Sequence, residues 1–369
     1  MNKLTAMREE LATLAAAPDD APLGPPGRFY TDADWFAHER TGLLRQGWHC
    51  VGRADELPEI GDYKALQLLD EPLLVVRTED GIVAHANLCR HRGMPLAEGE
   101  GNAKRFLCPY HAWIYGIDGA LLRAPRMENA SFDASTCRLA GFACEERLGF
   151  VFVSLQAEPP AIDQALSGLD DLIGPYDPCA YRLVHSATEH WGTNWKCLFE
   201  NFMEGYHLSV VHPQTLHHYT PTGLSRKGPT GPGFTSYFAN YPDGIPSRGR
   251  GAPGLTEEQR QRSVLYGVYP GHVVSISAAM LVALNIRPVD ADSVEVRWTA
   301  SVYGDDLDDE TIADRVQNWH NVNAEDRAKL ELMQAALGSV HATGGPLAGA
   351  DYEGTVRDLL LWLAKADAA

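Results

Sequence analysis

Two short pairs of thiol and imidazole side chains constrain this chain more than any other feature. Cys89-Arg90-His91 is followed, after sixteen residues, by Cys108-Pro109-Tyr110-His111: a C-x-H and then a C-x-x-H. Each pair falls where a loop between strands is expected. A structural zinc ion also accepts two cysteines and two histidines in a tetrahedron, although zinc fingers favour C-x-x-C and H-x3-5-H spacings. A [2Fe–2S] cluster explains the mixture better. Two cysteines hold one iron, and two neutral histidines hold the other and raise the reduction potential. The fold must therefore bring two loops to one place.

The surrounding residues suit that demand. From about 47 to 155 the chain reads as short alternating or apolar runs (63–69, 72–78, 82–87 and 150–155) with Gly or acidic turns between them. That spacing predicts a compact all-β domain, and Asp80-Gly81 and Asp118-Gly119 suit hairpins. Before it, 3–16 has helical composition, 18–26 is Pro-rich, and 31–47 suggests a short helix packing through Trp35, Leu43 and Leu44. After it come a connector with a weak helix at 163–172, then a strand at 181–191. The stretch 220–262 is rich in Gly, Pro, Ser and Arg with little periodicity, and reads as a lid or a disordered loop. Strands are expected at 273–286 and 294–302. Leu330, Met333 and Leu337, then Val356, Leu360 and Leu363, mark two closing helices.

A second constellation lies in 195–212, W-K-C-L-F-E-N-F-M-E-G-Y-H-L-S-V-V-H. On a helix, Glu200, Glu204 and His207 form one stripe, and Glu204 can orient the His207 imidazole from one turn away. His212 follows five residues later, just before the helix-breaking Pro213. Two imidazoles at a breaking helix end can converge on one ion. A carboxylate from Glu325-Asp326 would complete a two-histidine, one-carboxylate site for non-haem iron(II).

Composition removes several alternatives. A formal net charge of -18 argues against a nucleic-acid surface. Seven cysteines do not suggest a disulfide framework. No stretch approaches the ~20 apolar residues of a membrane helix, and the first residues, interrupted by Arg8, Glu9 and Glu10, do not read as a signal peptide. The expectation is a cytoplasmic chain. No G-x-G-x-x-G follows a strand, so NAD(P)H is expected to act only through a separate reductase, or a ferredoxin plus reductase.

Together the two constellations resemble the large α subunit of Rieske non-haem iron oxygenases. The resemblance runs from about Trp48 to the helix holding Asp326. It rests on C-R-H-R-G, C-P-Y-H-A-W-I-Y and N-W-K-x3-E-N-x2-E-x-Y-H-x4-H. It implies an α+β chain in three parts: an N-terminal helical segment (1–45) packing on the catalytic domain, an all-β Rieske [2Fe–2S] domain (46–157), and a catalytic domain (158–369). The last is implied to be an antiparallel sheet wrapped by helices, helix-grip-like. Cys89, His91, Cys108 and His111 are implied as cluster ligands. His207, His212 and Asp326 are implied as ligands of mononuclear Fe(II), with Asp326 preferred to Glu325 by its spacing from Glu331 and Gln334.

The family also gives position 204 a role. Ring-hydroxylating members usually carry Asp there, and this acid links an iron-ligand histidine to a cluster histidine of the neighbouring subunit. The resemblance therefore implies a homotrimer, with electrons passing through His111 and Glu204 of adjacent subunits. Asn201 is a candidate to assist near the iron. Ala112 departs from the Gly usual after the last cluster histidine. Glu at 204 resembles the subgroup that oxidises choline, carnitine and glycine betaine. The implied reaction uses O2 to hydroxylate a C–H bond of a quaternary ammonium or N-methylated substrate, with N-demethylation as one outcome. Hydroxylation or O-demethylation of an aromatic carboxylic acid is the alternative. A cluster-bearing electron carrier without catalysis would leave the second constellation idle.

Other residues carry weaker expectations. Trp191, Trp195, Tyr206 and Tyr219 are candidates for an aromatic box around a methylammonium group, though single aromatics are more often core. Arg226, Arg248 and Arg250 are candidates for binding a substrate carboxylate, though loop charges are more often solvated. His217 and His218 follow the site closely and read more readily as loop residues.

Overall fold

The structure, a computed structural model, describes residues 2–127, 133–305 and 307–368. They fall into two units, Trp48–Pro159 and a second made of Met1–Gly47 with Pro160–Ala369.

The first unit is built from strands β1 (His49–Arg53), β2 (Asp62–Leu68), β3 (Glu71–Thr78), β4 (Gly81–Ala86) and β5 (Glu100–Asn102). They are followed by β6 (Arg105–Leu107), β7 (Ile114–Gly116), β8 (Leu121–Arg123), β9 (Gly141–Arg147) and β10 (Phe150–Ser154). Seven strands pair in the order β1-β10-β9-β4-β3-β2-β5, and β6-β7-β8 form a separate small sheet. The apolar run Leu73 to Val76 lies at the middle, buried on both faces of β3 because side chains alternate sides along a strand. Leu73 and Val75 pack with Leu68, Ile82, Val151 and Val153. Leu74 and Val76 join Phe106, Trp113, Tyr115, Cys89 and Cys108. The core that holds this unit together therefore includes the two cysteines. Between β7 and β8, Gly119 has φ +82°, which Asp-Gly hairpin chemistry supplies without strain.

The second unit begins with helices α1 (Lys3–Ala15), α2 (Arg28–Thr31) and α3 (Ala33–Thr41). After Pro160 it continues with α4 (Ile162–Ala165), α5 (Leu169–Ile173), β11 (Tyr181–Trp191), α6 (Trp195–Phe202) and α7 (Leu208–Val211). Next come β12 (Ser225–Lys227), β13 (Phe234–Asn240), α8 (Glu257–Arg260), β14 (Arg262–Val268) and β15 (His272–Ile276). The chain closes with β16 (Met280–Asp290), β17 (Ser293–Tyr303), α9 (Asp309–Leu337) and α10 (Ala350–Ala368). The sheet order is β11-β17-β16-β15-β14-β13-β12, antiparallel at every pairing. Helix α6 packs on β15 and β16, and α10 packs on β12, β13 and α1. The molecule is thus an α+β chain with an all-β unit and an antiparallel sheet wrapped by helices.

Two stretches differ from expectation. Residues 220–262 are not a lid or a disordered loop throughout. They supply two strands of the main sheet, which are short and bounded by Gly and Pro and so leave little period-two signal. The strand expected at 273–286 is two, β15 and β16, because the chain reverses at Ser277 to Ala279.

The N-terminal helices are tied into the second unit by buried polar groups. Arg357 caps the end of α1, donating to the carbonyls of Leu14 and Ala15 at 2.8 Å and of Ala17 at 2.6 Å. Glu39, wholly buried, accepts from Trp35 Nε1 at 2.8 Å, Trp195 Nε1 at 3.1 Å and Lys196 Nζ at 2.6 Å. This network locks α3 to the start of α6. No described helix is long and apolar enough to cross a membrane.

Two candidate metal centres

In the first unit, Cys89 and His91 follow β4, while Cys108 and His111 lie between β6 and β7. Both loops turn tightly: Gly93 N donates to the Cys89 carbonyl at 2.9 Å, and Ala112 N donates to that of Cys108 at 3.1 Å. The two thiols are buried and unoxidised, whereas both imidazoles are exposed. His91 and His111 approach with Nδ1 atoms 3.1 Å apart, and His91 stacks on buried Trp113 at 5.1 Å and 7°. The Tyr115 hydroxyl accepts from Arg90 N at 3.0 Å, which leaves its own proton free to point at Cys89 Sγ, 3.4 Å away. Burial pushes the Cys89 thiol pKa up, Tyr115 opposes that, and nearby Cys108 adds to it. Two buried thiols behind two surface imidazoles fit a mixed-ligand [2Fe–2S] cluster.

Ala112 has φ +56°, the left-handed region that glycine occupies without penalty. Its departure from the usual Gly is thus a strained substitution at the tip of the cluster loop.

In the second unit the iron-candidate side chains hang on a broken helix. Helix α6 ends at Phe202, not beyond His207, so Glu200, Glu204 and His207 do not share one helical stripe as expected. The cause is Gly205, whose amide donates to the Tyr352 carbonyl at 3.1 Å. A Cβ there would collide with Ser225, so the backbone passes close and the helix cannot continue. The chain turns and restarts as α7, with His207 and His212 at its two caps.

That turn makes the two imidazoles face one carboxylate. His207 Nε2 lies 3.6 Å and His212 Nε2 3.0 Å from Asp326 Oδ1, and one donor atom from each of the three residues falls within 4.8 Å of the others. His212 Nε2 is buried with no hydrogen-bond partner, so a lone pair is offered inward without competition. The opposite ring nitrogens are held by other acids. His207 Nδ1 meets Glu204 Oε1 at 2.5 Å, and His212 Nδ1 meets Glu325 Oε2 at 2.7 Å. Each carboxylate fixes the tautomer that leaves Nε2 unprotonated. The second Glu204 oxygen accepts from the amides of Tyr206 and His207, and Thr215 donates to Glu325 at 2.6 Å. Asn201 Nδ2 stands 3.3 Å from Asp326 Oδ1 and 3.4 Å from His207 Nε2. Burial works against protonating His212, but Asp326 and Glu325 outweigh it and hold its pKa above the ordinary value. Two imidazoles and one carboxylate converging on one point fit a mononuclear Fe(II) site.

One neighbour has a role other than the expected one, and one is new. Glu325 is not a rival to Asp326: both meet His212, one at each ring nitrogen. Tyr237 of β13 is buried, and burial, then Glu204 and Asp326, hold its phenol well above its usual pKa. No sequence signal separates Tyr237 from an ordinary strand aromatic.

The remaining candidates disperse. Glu200 accepts from Tyr30 Oη at 3.0 Å, and burial pushes its carboxyl up to about 8 despite Tyr30 and Lys196. Trp191 and Trp195 donate to the carboxylates of Glu189 and Glu39, Tyr206 is exposed beside Tyr352, and Tyr219 lies under Arg248. Among the described residues no ring contact joins these four into a box. His217 bonds Ser209 and His218 packs on Tyr219, both exposed. Arg226 donates to the carbonyls of Gly223 and Ser225, and Arg250 lines an open cavity.

Comparison with known proteins follows the same division. Residues 47–142 match the Rieske [2Fe-2S] domain family, and residues 179–366 match the family described as ring hydroxylating alpha subunit (catalytic domain). The glycine betaine monooxygenase oxygenase subunit of Chromohalobacter salexigens is 38% identical over 193 residues, 52% of this chain and 43% of that protein. The carnitine monooxygenase oxygenase subunit of Escherichia coli K12 is 36% identical over 193 residues, 51% of this chain and 52% of that protein. The matched stretch thus spans about half the length of these curated relatives. Among solved structures, a quaternary ammonium Rieske monooxygenase studied for carnitine oxidation and inter-subunit electron transfer aligns over 96% of this chain and 97% of that one. Its TM-score is 0.84 at 22% identity. Naphthalene 1,2-dioxygenase from Rhodococcus sp. aligns over 98% of both chains, with a TM-score of 0.84 at 22% identity. At such identities the likeness is one of fold.

Proposed function

Because the chain belongs to the family of ring-hydroxylating alpha subunits, with a Rieske domain ahead of the catalytic domain, we propose that it is the oxygenase component of a Rieske non-haem iron monooxygenase acting on a quaternary ammonium or N-methylated substrate. In the proposed reaction one atom of O2 enters a C–H bond and the other leaves as water, consuming two electrons and two protons. Hydroxylation at an N-methyl carbon then releases formaldehyde and the demethylated amine. The observation that carries the reading is the convergence of His207 Nε2, His212 Nε2 and Asp326 Oδ1, with both outer imidazole nitrogens held by carboxylates.

When bound, the cluster held by Cys89, His91, Cys108 and His111 supplies single electrons, and Fe(II) held by His207, His212 and Asp326 supplies O2 activation. The protein's own groups prepare those sites. Glu204 and Glu325 keep the two imidazoles in the ligating tautomer. Asn201 places an amide donor at the rim of the same opening. Three carboxylates, Asp326, Glu204 and Glu325, surround a position suited to a divalent cation. The excess negative charge favours a cationic substrate head over an aromatic carboxylate.

Electrons are supplied from NAD(P)H by a separate reductase, or a ferredoxin plus reductase. Glu204 is the bridge that receives them from His111 of a neighbouring subunit in a homotrimer. The five cysteines outside the cluster set, none of them in a disulfide, support a cytoplasmic setting. Iron analysis, the visible spectrum, and O2 uptake with a surrogate reductase test the reading. A brown protein with about three irons per chain that consumes O2 with betaines is expected. A colourless zinc protein, or one inert to every N-methylated compound, would overturn it.

A further inference from the structure

Helix α9 carries a second row of groups beyond the metal ligand. Arg315 precedes Asp326 by eleven residues, which is three helical turns and about 16 Å along the same face. Between them, buried Trp319 stacks on Phe202 at 6.5 Å and 20°, and Phe202 directly follows Asn201. Along one face of α9, Arg315, an aromatic pair and Asp326 therefore follow one another in that order.

Arg315 is incompletely satisfied. Its Nη2 donates to the Arg248 carbonyl at 2.7 Å, while its Nη1 is buried with no hydrogen-bond partner. The Arg248 guanidinium lies 4.6 Å over the Tyr219 ring. Among the described residues neither arginine has a carboxylate within ion-pair distance. Burial first, and Arg248 second, push the Arg315 pKa down. Two half-buried guanidinium groups without a counter-ion are costly to hold together, and more conspicuous in a chain of net charge -18. The loop carrying Arg248 also borders an open cavity of about 890 Å³ lined by Arg250 and Arg260, so positive charge continues outward.

We propose that Arg248 and Arg315 form a recognition site for a substrate carboxylate, set to receive the far end of an elongated zwitterion. Guanidinium groups suit this task because their planar fork matches a carboxylate. The inference rests on the N-methylated-substrate reading for its cationic end, but the anion site stands on its own geometry. A separation of three helical turns excludes a carboxylate attached next to the oxidised carbon. It selects for spacer length.

The test uses the holoenzyme and trimethylammonium carboxylates with one, three and five methylenes in the spacer, each paired with a carboxylate-free analogue of equal length. Calorimetric binding to the oxidised enzyme gives Kd without turnover, and O2 uptake with a surrogate reductase gives KM. The carboxylate advantage is expected to grow with spacer length and reach about ten-fold or more. Arg315→Met and Arg248→Met should each cut it toward unity, and Arg315→Lys should restore part. Thermal melts and the cluster spectrum verify folding. Should Arg315→Met fail to fold, Arg248→Met and competition by hexanoate against the wild type decide the matter. No advantage, one independent of spacer length, or one that survives both Met variants overturns the proposal. Length-dependent binding without turnover of any compound would leave the anion site standing and remove the proposed function. Turnover without any carboxylate advantage would do the reverse.

Discussion

Glu325 accepts a hydrogen bond from Nδ1 of His212 at 2.7 Å, while the next residue, Asp326, presents Oδ1 3.0 Å from Nε2 of the same ring. Adjacent residues on one helix thus address both nitrogens of one histidine, the first fixing the tautomer and the second placed to share an ion with it. Replacing Glu325 with Gln removes the charge that holds the Nδ1 proton. Iron affinity at the mononuclear site should fall about 10–100-fold while the visible spectrum of the cluster stays unchanged. Iron titration followed by paramagnetic resonance reads both, and an unaltered iron affinity would show that Glu325 merely neighbours the site.

Glu204 holds His207 in the same manner, and the proposed bridge adds a demand across subunits. Glu204→Gln should retain both metals yet slow product formation from a chemically reduced cluster by at least ten-fold. Rapid-mixing single-turnover assays measure this directly. Wild-type rates in the variant would dismiss the bridge, whatever the state of the metals.

The buried pair Glu39 and Lys196 anchors α6 from behind. Lys196→Met leaves the Glu39 charge with only two indole donors and should destabilise the catalytic unit by about 3–5 kcal/mol. Adding Glu39→Gln to that variant should recover much of the loss. Denaturant melts of the two variants settle the point, since equal stabilities would mean the charge is not the source of the cost.

Glu200 links stability to pH. Its carboxyl lies at about 8 in the folded chain against an ordinary 4.5. A raised carboxyl favours folding while it keeps its proton. That contribution is complete below pH 4.5 and is lost as pH rises through about 8. Glu200→Gln mimics the protonated form, so the variant should melt above the wild type by roughly 5 °C at pH 9, with the gap closing toward pH 5. A constant gap across that range would mean that Glu200 does not titrate there.

Ala112→Gly relieves a positive φ at the cluster loop. The first unit should gain about 1 kcal/mol, read as slower loss of cluster absorbance in denaturant. Faster loss would mean that the alanine methyl packs well enough to offset its backbone strain.

The candidate ligand pairs were legible in sequence because they sit at short, fixed spacings. Cys89 with His91, Cys108 with His111, and His207 with His212 each stand out within a few residues, and the structure brings the two ring nitrogens of His91 and His111 together, and His207 and His212 to Asp326. The strand at 181–191 and the last helix were also plain, since long periodic segments suffer little from end effects. The break after Phe202 was not, because it depends on a close approach to Ser225 that local propensity cannot register. Residues 220–262 looked irregular for a related reason: strands of three and seven residues bounded by turns carry almost no period. Arg315 left no trace at all, one cation on a mostly polar helix. Its meaning comes from Arg248, far away in sequence.

The far end of α9 holds a quieter lesson. Gln334 accepts from the Asn194 amide at 3.0 Å and donates to the Tyr30 carbonyl at 3.0 Å, and Glu331 accepts from the Gly192 amide at 3.0 Å. These bonds lie two turns beyond Asp326 and touch no ligand, yet they stitch the helix bearing the carboxylate to the entry of the helix bearing Asn201. The metal pocket therefore borrows its precision from a seam outside it. Wear along that seam would blur the pocket long before any ligand was lost.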